Sequence, residues 1–381
     1  FHDEALRFFK QMQNEGIAPN AVTFTCVLKA CSAIGSLTTG EEIHAEISKT
    51  GLLFLDKGIV LGTALVDMYA KCGMMTKARE VFFNELPIRN VVCWTALVSG
   101  YARHGCGNEA LKCYMHMRDI DGICPDAITY VCILKACSSI GALEFGERIH
   151  HEVRKQGLIG TNVFISTALM DMYAKCGKLD KSQELFDEGI LKRNVVSWNV
   201  LISGYVRHGL AHQALNCFRN MQDEGHFPNI VTFLCILKAC AVLGSYETGK
   251  EVHGQVLERG LSEKDVVLCT ALVDMYAKCG ALERAHEVFD LIPLQSVVSW
   301  NALMSGYAQL GDAQKVFDVF NKMIEEQGTA MPDSVTFLNL LNVSCHDGLV
   351  KEGKRMLSNM EKVYFLTPEV EHYTCMVDLF S

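Results

Sequence analysis

The sequence predicts an all-α fold, an α-solenoid superhelix of about ten helix-turn-helix repeats of roughly 31 to 38 residues. The first observation behind this prediction is that the motif Asp-Met-Tyr-Ala-Lys-Cys-Gly occurs three times, beginning at Asp67, Asp171 and Asp274. A second set of markers recurs at the same step of about 103 residues, namely Trp94, Trp198 and Trp300. Apolar residues between these markers return at helical spacing. Internal repetition of this kind predicts a stack of similar helical modules.

The composition is that of a globular chain. Of the 381 residues, 49% are hydrophobic and 21% are charged, so the chain can bury a long core. No apolar run reaches the ~18 residues of a membrane-spanning helix, and we expect no membrane partner. The formal net charge of −9 argues against a protein that holds polyanions by bulk charge, but it leaves room for a local basic stripe.

Cysteine is abundant, with 17 residues, and its positions follow the repeat. Two sets recur at the ends of apolar helical stripes, namely Cys31, Cys137 and Cys240, and Cys72, Cys176 and Cys279. Because cysteine is small and easily buried, we interpret these residues as reduced packing residues, which indicates a reducing compartment.

Taken in order, the elements are helix pairs separated by Gly and Pro. Residues 1–20 open within a helix that stops at Gly16, and the next module breaks at Gly35 between its two helices. A shorter pair breaks at Gly73 and stops at Pro87, and a third pair follows before the triplet restarts. Since the chain has neither an initiator Met nor a targeting peptide, we expect it to be a fragment.

The first helix of each module has one face that its apolar stripe does not use. In the module that begins at Ile59, apolar residues recur at helical offsets from Leu61 to Cys72. At ~100° per residue, Thr63, the fifth residue, lies roughly 170° from the centre of that stripe. We therefore expect residues two, five, nine and thirteen to share a polar face, and stacked modules to align these faces along one groove.

Three recurring sequence motifs resemble those of a known family. They are Val195-Val-Ser-Trp-Asn-Val-Leu-Ile-Ser-Gly-Tyr205, Thr232-Phe-Leu-Cys-Ile-Leu-Lys-Ala-Cys240 and Thr270-Ala-Leu-Val-Asp-Met-Tyr-Ala-Lys-Cys-Gly280. With the cycle of long (L), short (S) and standard (P) lengths, they resemble the plant pentatricopeptide repeat (PPR) proteins of the PLS class, over essentially the whole chain. Tetratricopeptide repeats have a similar size, but their Trp-Leu-Gly-Tyr and Pro positions are not matched.

In the terms of that class, the chain is a single PPR array. Its modules are 1–20 (partial P), 21–58 (L), 59–90 (S), 91–126 (P), 127–162 (L), 163–194 (S), 195–229 (P), 230–265 (L), 266–296 (S), 297–333 (P), 334–369 (L) and 370–381 (partial S).

The resemblance implies binding of single-stranded RNA, with one base per module. In the family, the base is read by the fifth residue, on the polar face, and by the last residue, in the loop behind it. A fifth Thr goes with purines and a fifth Asn with pyrimidines. A final Asp accepts hydrogen bonds and suits guanine or uracil, which carry a ring N–H, whereas a final Asn or Ser can donate and suits adenine or cytosine.

Applied here, the resemblance assigns six base-reading pairs. They are Thr63 with Asn90 (adenine), Thr95 with Asp126 (guanine), Thr167 with Asn194 (adenine), Asn199 with Asn229 (cytosine or uracil), Thr270 with Ser296 (a purine) and Asn301 with Asp333 (uracil). The long modules carry Thr25, Val131, Leu234 and Leu338 at the fifth position, and we expect them to discriminate little. If the N-terminus faces the RNA 5′ end, as the family suggests, the site is A-G-x-A-Y-x-R-U, where x is unread.

Residue two is apolar in nearly every module, and we expect it to stack on bases. The predicted stacking residues are Val60, Val92, Phe164, Val196, Val267 and Val298, and the long modules carry Ile128 and Val231 at the same place. The alternative is that residue two packs on a neighbouring helix.

Residue thirteen is basic in all but one of the standard and short modules, and we expect it to meet phosphates. The predicted phosphate-binding residues are Lys71, Arg103, Lys175, Arg207 and Lys278, and Gln309 is the exception. Alternatively, these cations complement the helix dipole in solvent. Asp67, Asp171 and Asp274 share their face and could hold them or repel RNA.

The chain as given is not predicted to be an enzyme. His44-Ala-Glu46 and His150-His-Glu152 match half of a zinc deaminase signature, but no Cys-x-x-Cys follows and the third copy is His253-Gly-Gln255. The cysteine pairs spaced by five residues are a weak metal pattern. We therefore expect neither a metal nor a cofactor, and no small-molecule substrate.

The last segment, from Pro368 to Asp378, resembles the final long-to-short junction of the class. In the family this junction precedes a terminal extension and often a cytidine deaminase domain of the DYW type, which these residues do not contain. The resemblance therefore implies the address-reading part of a C-to-U RNA editing factor of the mitochondrion or chloroplast, working with other editing factors. An organelle RNA stability or splicing factor, or a protein-binding helical scaffold, remains an alternative.

Overall fold

In the computed structural model the described part of the chain comprises residues 1–54, 58–188, 193–261, 265–326 and 330–381. It contains 22 α-helices and no strand, which confirms the all-α prediction. The helices are α1 (His2–Asn14), α2 (Ala21–Ile34), α3 (Leu37–Thr50), α4 (Gly58–Lys71), α5 (Met75–Glu80), α6 (Val91–Arg103), α7 (Gly107–Met115), α8 (Ala127–Ile140), α9 (Leu143–Lys155), α10 (Val163–Lys175), α11 (Leu179–Asp187), α12 (Val195–Arg207), α13 (Ala211–Asp223), α14 (Ile230–Leu243), α15 (Tyr246–Glu258), α16 (Val266–Lys278), α17 (Leu282–Asp290), α18 (Val297–Gln309), α19 (Ala313–Glu325), α20 (Ser334–His346), α21 (Val350–Lys362) and α22 (Val370–Phe380).

Three short stretches depart from α-helical geometry. A 3-10 turn covers Leu52–Phe54, and π-helical turns cover Val81–Glu85 and His116–Ile120, directly after α5 and α7. No helix in the described part of the chain is both long and apolar enough to cross a membrane.

The helices belong to two compact units, residues 1–193 and 194–381. Within each unit the even-numbered helices, which we call first helices, pack on one another in chain order. Each first helix also packs on the odd-numbered second helix that follows it, as α4 does on α5 and α16 does on α17. A first helix inside a unit is therefore enclosed on several sides, and it supplies most of the core.

Glycine ends the first helices of the short modules. Gly73 follows α4 with a φ of 82°, a left-handed conformation that glycine adopts without a steric penalty. The backbone N–H of Gly73 donates to Ala70 and that of Met74 donates to Tyr69, so the helix closes before α5 begins. The Lys-Cys-Gly motif thus specifies the sharp reversal of the chain between the two helices of each short module.

Tryptophan fills the space between a first helix and the second helix before it. Trp94 and Trp300 are buried, and their ring centroids lie 4.5 Å from Phe82 and 4.6 Å from Phe289, respectively. Both contacts are edge-to-face, which is a favourable arrangement for aromatic rings. The repeating Trp is therefore a packing residue that links one pair to the next.

A His–Tyr contact ties each of three long modules to the short module after it. The Nδ1 atoms of His44, His150 and His253 lie 2.9, 2.7 and 2.9 Å from the hydroxyl oxygens of Tyr69, Tyr173 and Tyr276. Glu152, the glutamate of the His150-His-Glu152 pattern, accepts hydrogen bonds from Tyr130 and Arg118 at 2.9 and 3.0 Å. The residues of the His-x-Glu motifs thus form contacts between helices.

Candidate nucleic-acid interface

A groove beside the first helices of the first unit brings together both members of two predicted reading pairs. Its volume is ≈ 470 Å³. The side chains that border it include Thr63, Asn90, Thr95, Asp126, Lys29, Val60, Val92 and Ile128. Reading residues, apolar second residues and a lysine therefore share one surface on α2, α4, α6 and α8.

The last residue of a module lies in the loop before the next first helix, as expected, and it is also the N-cap of that helix. Asn90 Oδ1 accepts hydrogen bonds from the backbone N–H groups of Val92 and Cys93 at 3.0 and 3.1 Å. Asp126 Oδ1 accepts one from Thr129 at 2.8 Å. The same capping role falls to Asn194, Asn229, Ser296 and Asp333. An Asn, Asp or Ser directly before an apolar helical segment is an N-cap signal that could have predicted this role.

Capping leaves one atom of each last side chain available. Asn90 uses its carbonyl oxygen for the helix, so its Nδ2 amide group can donate elsewhere. Asp126 uses Oδ1, so Oδ2 can accept. Neither atom has a hydrogen-bond partner among the described residues, and both side chains border the groove.

The fifth residue contacts the third residue of the next first helix. Thr63 Oγ1 lies 2.8 Å from Cys93 Sγ, and Thr95 Oγ1 lies 2.7 Å from Thr129 Oγ1. The fifth side chain therefore lies at the seam between successive first helices, beside the capping residue.

In the second unit, Asn199 and Asn301 are the fifth residues of two standard modules. Each forms its own closed set of hydrogen bonds with the last residue of its module and the third residue of the next module. Asn199 Nδ2 donates to Asn229 Oδ1 at 3.0 Å, and Asn199 Oδ1 accepts from Thr232 Oγ1 at 2.6 Å. Thr232 N in turn donates to Asn229 Oδ1 at 3.1 Å. Since Asn229 Oδ1 takes two N–H donors, its Nδ2 group must point away from the circuit.

The pair Asn301 and Asp333 repeats this circuit. Asn301 Nδ2 donates to Asp333 Oδ1 at 2.9 Å, and Asn301 Oδ1 accepts from Thr336 Oγ1 at 2.8 Å. Thr336 N donates to the same Asp333 oxygen at 2.9 Å. Asp333 Oδ2 has no partner within the described ranges, so it can accept a hydrogen bond from a ligand.

The fifth residues are less accessible than the sequence analysis predicted. Thr95 and Asn199 are each 8% exposed and Asn301 is 7% exposed, while Thr63, Thr167 and Thr270 are half-buried. The polar face expected from the periodicity of one helix is partly covered, because each first helix packs against the first helices on either side. The last residues are more open, since Asn229 is exposed and Asn90, Asp126 and Asp333 are half-buried.

The remaining reading residues are placed as follows. Thr167 lies on α10 in the first unit, and Asn194 caps α12 in the second, accepting from Ser197 N at 2.9 Å. Thr270 Oγ1 donates to Val266 O at 2.7 Å, and Ser296 Oγ accepts from Ser299 N at 3.3 Å.

Residue two is exposed throughout. The exposed fractions are 57% for Val60, 55% for Val92, 63% for Ile128, 77% for Phe164, 57% for Val196, 52% for Val231, 64% for Val267 and 60% for Val298. Apolar side chains this open do not pack on a neighbouring helix, so the alternative interpretation from the sequence does not hold. These side chains are therefore accessible to a ligand.

The predicted phosphate-binding cations divide into two groups. In the short modules, Lys71, Lys175 and Lys278 form i,i+4 ion pairs with Asp67, Asp171 and Asp274, at 2.7, 2.8 and 2.9 Å. Of the two possibilities that the sequence left open, the structure shows the one in which these aspartates hold the lysines. In the standard modules, Arg103 and Arg207 form no ion pair with any described residue.

The long modules have less polar fifth positions. Val131, Leu234 and Leu338 are each half-buried and offer no side-chain hydrogen bond. Thr25 Oγ1 donates to its own helix, to Ala21 O at 2.7 Å. These positions can shape the groove but cannot tell bases apart by hydrogen bonding.

The cysteines are free thiols, and several recurring ones lie in the core. Burial raises the pKa of Cys31 to about 11 and those of Cys137 and Cys240 to about 12. Such thiols stay protonated near neutral pH and do not act as nucleophiles. Among the described residues there is no group of three or more His, Cys, Asp or Glu side chains arranged to hold a metal ion.

Comparison with known protein families matches the repeats along the chain. The model described as the PPR repeat family matches residues 2–33, 89–139 and 193–242. The model described as the PPR repeat matches residues 63–84, 164–192, 267–294, 298–327 and 335–364.

Curated relatives are similar over the whole chain. The mitochondrial pentatricopeptide repeat-containing protein At1g06140 of Arabidopsis thaliana is 36% identical over 380 residues, which are 100% of this chain and 66% of the relative. The chloroplastic protein At3g57430 of the same plant is 36% identical over 389 residues, covering 99% of this chain and 43% of the relative. The chain therefore spans about half to two thirds of the length of such relatives.

Among solved structures, the pentatricopeptide repeat protein PPR10 in complex with an 18-nt psaJ RNA element has the same fold. The TM-score is 0.67 at 21% sequence identity, and the match covers 94% of this chain and 58% of the other.

Proposed function

The chain belongs to the pentatricopeptide repeat family, and from this premise we propose that it binds single-stranded RNA and reads one base with each standard or short module. The observation that carries this proposal is the groove in which two reading pairs and three apolar second residues lie side by side. The complex of PPR10 with RNA, a protein of the same fold, supports it.

Each base would lie between successive apolar second residues. Val60 and Val92 are both exposed and both border the groove, so a flat base can contact them with its faces. The edge of that base then meets the last residue of the module. Burial of base faces against apolar side chains stabilises binding without favouring a particular base.

The last residue would select the hydrogen-bond pattern of the base edge. Asn90 Nδ2 can donate to N1 of adenine, and Asp126 Oδ2 can accept the N1–H of guanine. Asp333 Oδ2 can accept the N3–H of uracil in the same way. Asn229 presents Nδ2, and this donor fits the N3 acceptor of cytosine better than the N3–H of uracil.

The fifth residue would set the size of the base. Because it is at most half-exposed and lies at the seam with the next first helix, it acts mainly by positioning the last residue and by filling the end of the base site. Asn is longer than Thr and bonds directly to the last residue, as Asn301 does to Asp333. A fifth Asn therefore leaves room for a pyrimidine, and a fifth Thr leaves room for a purine.

This scheme gives the single-stranded site A-G-x-A-Y-x-R-U, with the N-terminus toward the 5′ end. A gel-shift titration with this RNA, against an RNA whose read bases are transposed, tests the proposal. At about 1–3 kcal/mol for each correctly matched base, the transposed RNA should bind at least ten-fold more weakly. Equal affinities would remove base reading from the function of the chain.

Two reciprocal single substitutions sharpen this test. Thr95→Asn keeps Asp126 and Thr129 and so reproduces the Asn301, Asp333 and Thr336 arrangement. It should change the preference at the second base from guanine to uracil, and Asn301→Thr should change the preference at the last base from uracil to guanine. A protein-binding scaffold would show neither change, because it does not depend on these positions.

We further propose that the chain belongs to the PLS class and selects a C-to-U editing site in an organelle transcript. The triplet of module lengths and the junction near Pro368 support this assignment, and the relatives include mitochondrial and chloroplastic proteins. Plants that lack the protein should then lose conversion of one cytidine next to a matching site. Loss of the transcript, or of its splicing with editing intact, would instead identify a stability or splicing factor.

A further inference from the structure

The long modules carry a recurring lysine, and the first of these lysines borders the groove. It is the ninth residue of the first helix and the fourth after the fifth residue, so it lies about one turn further along the same face. The three lysines are Lys29, Lys135 and Lys238. All three are exposed, and none forms an ion pair with any part of the chain that the structure describes.

The ninth residue is different in the other modules. It is Asp67, Asp171 or Asp274 in the short modules, and each of these carboxylates holds the lysine four residues later. Such i,i+4 pairs bring equal and opposite charge to the groove. The long modules therefore supply unpaired positive charge at the place where the short modules supply none.

The placement of these lysines is fixed by their neighbours. Lys29 borders the same groove as Val60 and Thr63. Lys135 has the equivalent place on α8, one helical turn after Val131, the apolar fifth residue. Ser99, the ninth residue of α6, also lines the groove.

In the second unit Lys238 has the equivalent position. It lies beside Cys235, whose pKa is raised by burial and lowered by this lysine. Leu234, the apolar fifth residue, precedes Lys238 by one helical turn.

We propose that the long modules are the phosphate-binding modules of the array, and that Lys29, Lys135 and Lys238 each hold a backbone phosphate of the bound RNA. This inference rests on the proposed function. It gives the long modules a role that their apolar fifth residues do not, since they would hold the strand without reading it. A module cycle of three places one such lysine every three nucleotides, and Arg103 and Arg207 add charge in the standard modules.

Salt dependence of RNA binding separates phosphate contacts from base contacts. For a single strand, the slope of log K against log salt concentration changes by about 0.7 for each phosphate contact. In the triple variant Lys29→Met, Lys135→Met and Lys238→Met, the magnitude of that slope should be smaller than in the wild type by about 2. The variant should bind both the matched and the transposed RNA more weakly, and by the same factor. The preference between the two RNAs should remain, because the reading pairs are unchanged.

The short modules supply a matched control. Replacing the three ion pairs together, with Asp67→Asn, Asp171→Asn and Asp274→Asn and with Lys71→Met, Lys175→Met and Lys278→Met, removes three lysines without changing the net charge. This variant should keep the wild-type slope. A slope that falls in the control and not in the Lys29 triple variant would overturn the inference and assign the phosphates to residue thirteen.

The fourth long module offers the reverse experiment, because its ninth residue is Asn342. With an RNA extended by three nucleotides at its 3′ end, Asn342→Lys should add about 0.7 to the slope. An unchanged slope in both the Lys29 triple variant and Asn342→Lys would refute the phosphate role while leaving base reading intact. Failure of the wild-type protein to bind single-stranded RNA at all would instead refute the proposed function.

Discussion

At the scale of single residues, one side chain has two tasks. The last residue of a module uses one atom to cap a helix, and it keeps the other for the groove. Asp126 illustrates this, since Oδ1 accepts from Thr129 N while Oδ2 stays open. Because the helix fixes the first atom, the direction of the second is fixed as well, and a preorganised group discriminates better than a mobile one.

The sequence could identify the reading residues only in part. Helical spacing predicts that Val60 and Thr63 share a face of α4, and both line the groove together with Asn90, whose pairing with Thr63 comes from the family resemblance. The burial of Asn199 could not be predicted from a single helix, because the contact with Thr232 comes from the next module. The sequence did not decide the role of Asp67, because its spacing from Lys71 is compatible both with an ion pair to that lysine and with repulsion of RNA phosphates.

Two half-buried histidines make stability depend on pH. Burial lowers the pKa of His150 and of His253 below the ordinary value of 6.5. Just below pH 6.5 the unfolded chain therefore binds more protons than the folded chain, so stability is full above pH 6.5 and falls as the pH drops toward the folded-state pKa. The urea midpoint should be lower at pH 5.5 than at pH 7.5, and His150→Gln with His253→Gln should reduce this difference.

The adjacent residue His151 is exposed and serves as the control for this measurement. His151→Gln should leave the pH dependence of the urea midpoint as it is in the wild type. Equal midpoints at the two pH values in the wild-type protein would contradict the assignment of half-buried neutral histidines.

At the scale of helices, close approach between successive first helices decides which residues are allowed. Gly306 lies on α18 where this helix meets α16. A Cβ atom at Gly306 would lie 2.5 Å from Ala277 Cβ and 3.2 Å from Ala277 Cα. Gly100 has the same relation to Ala70, with a distance of 2.7 Å to the Cβ atom. The Ser-Gly-Tyr motif of the standard modules is thus required for close helix packing, a role that helical periodicity alone does not reveal.

Substitution of this glycine should destabilise the second unit. Gly306→Ala should lower the free energy of unfolding by about 1–3 kcal/mol, because the alanine side chain overpacks a rigid backbone contact. The matched control is Gly254→Ala in α15, where a Cβ atom meets nothing within 4 Å. There the better helix propensity of alanine should raise the free energy of unfolding by about 0.5–1 kcal/mol. Denaturant titration measures both, and effects of the same sign at the two sites would contradict this packing.

At the scale of the molecule, charge and repetition act together. The chain carries a net charge of −9, yet the first helices of its long and standard modules carry lysine and arginine that form no ion pair with any described residue, and Lys29 borders the groove. Repetition made the all-α array predictable, because each module needs its neighbours to bury its apolar face. The acidic total alone would have excluded a nucleic-acid ligand, and only the position of each charge relative to the groove changes that conclusion.

The groove geometry predicts binding to single strands and not to duplexes. The open atoms of Asn90, Asp126 and Asp333 would meet the Watson–Crick edges of bases, which are occupied in a duplex, and the deep major groove of A-form RNA is closed to side chains. Annealing the A-G-x-A-Y-x-R-U strand to its complement should weaken binding by about two orders of magnitude, since several contacts of about 1–3 kcal/mol are lost together. Fluorescence anisotropy with the labelled strand measures this loss, and a non-complementary competitor strand serves as the control. Comparable affinity for the duplex would show that backbone charge alone binds the RNA, because phosphates remain accessible in both forms while base edges do not.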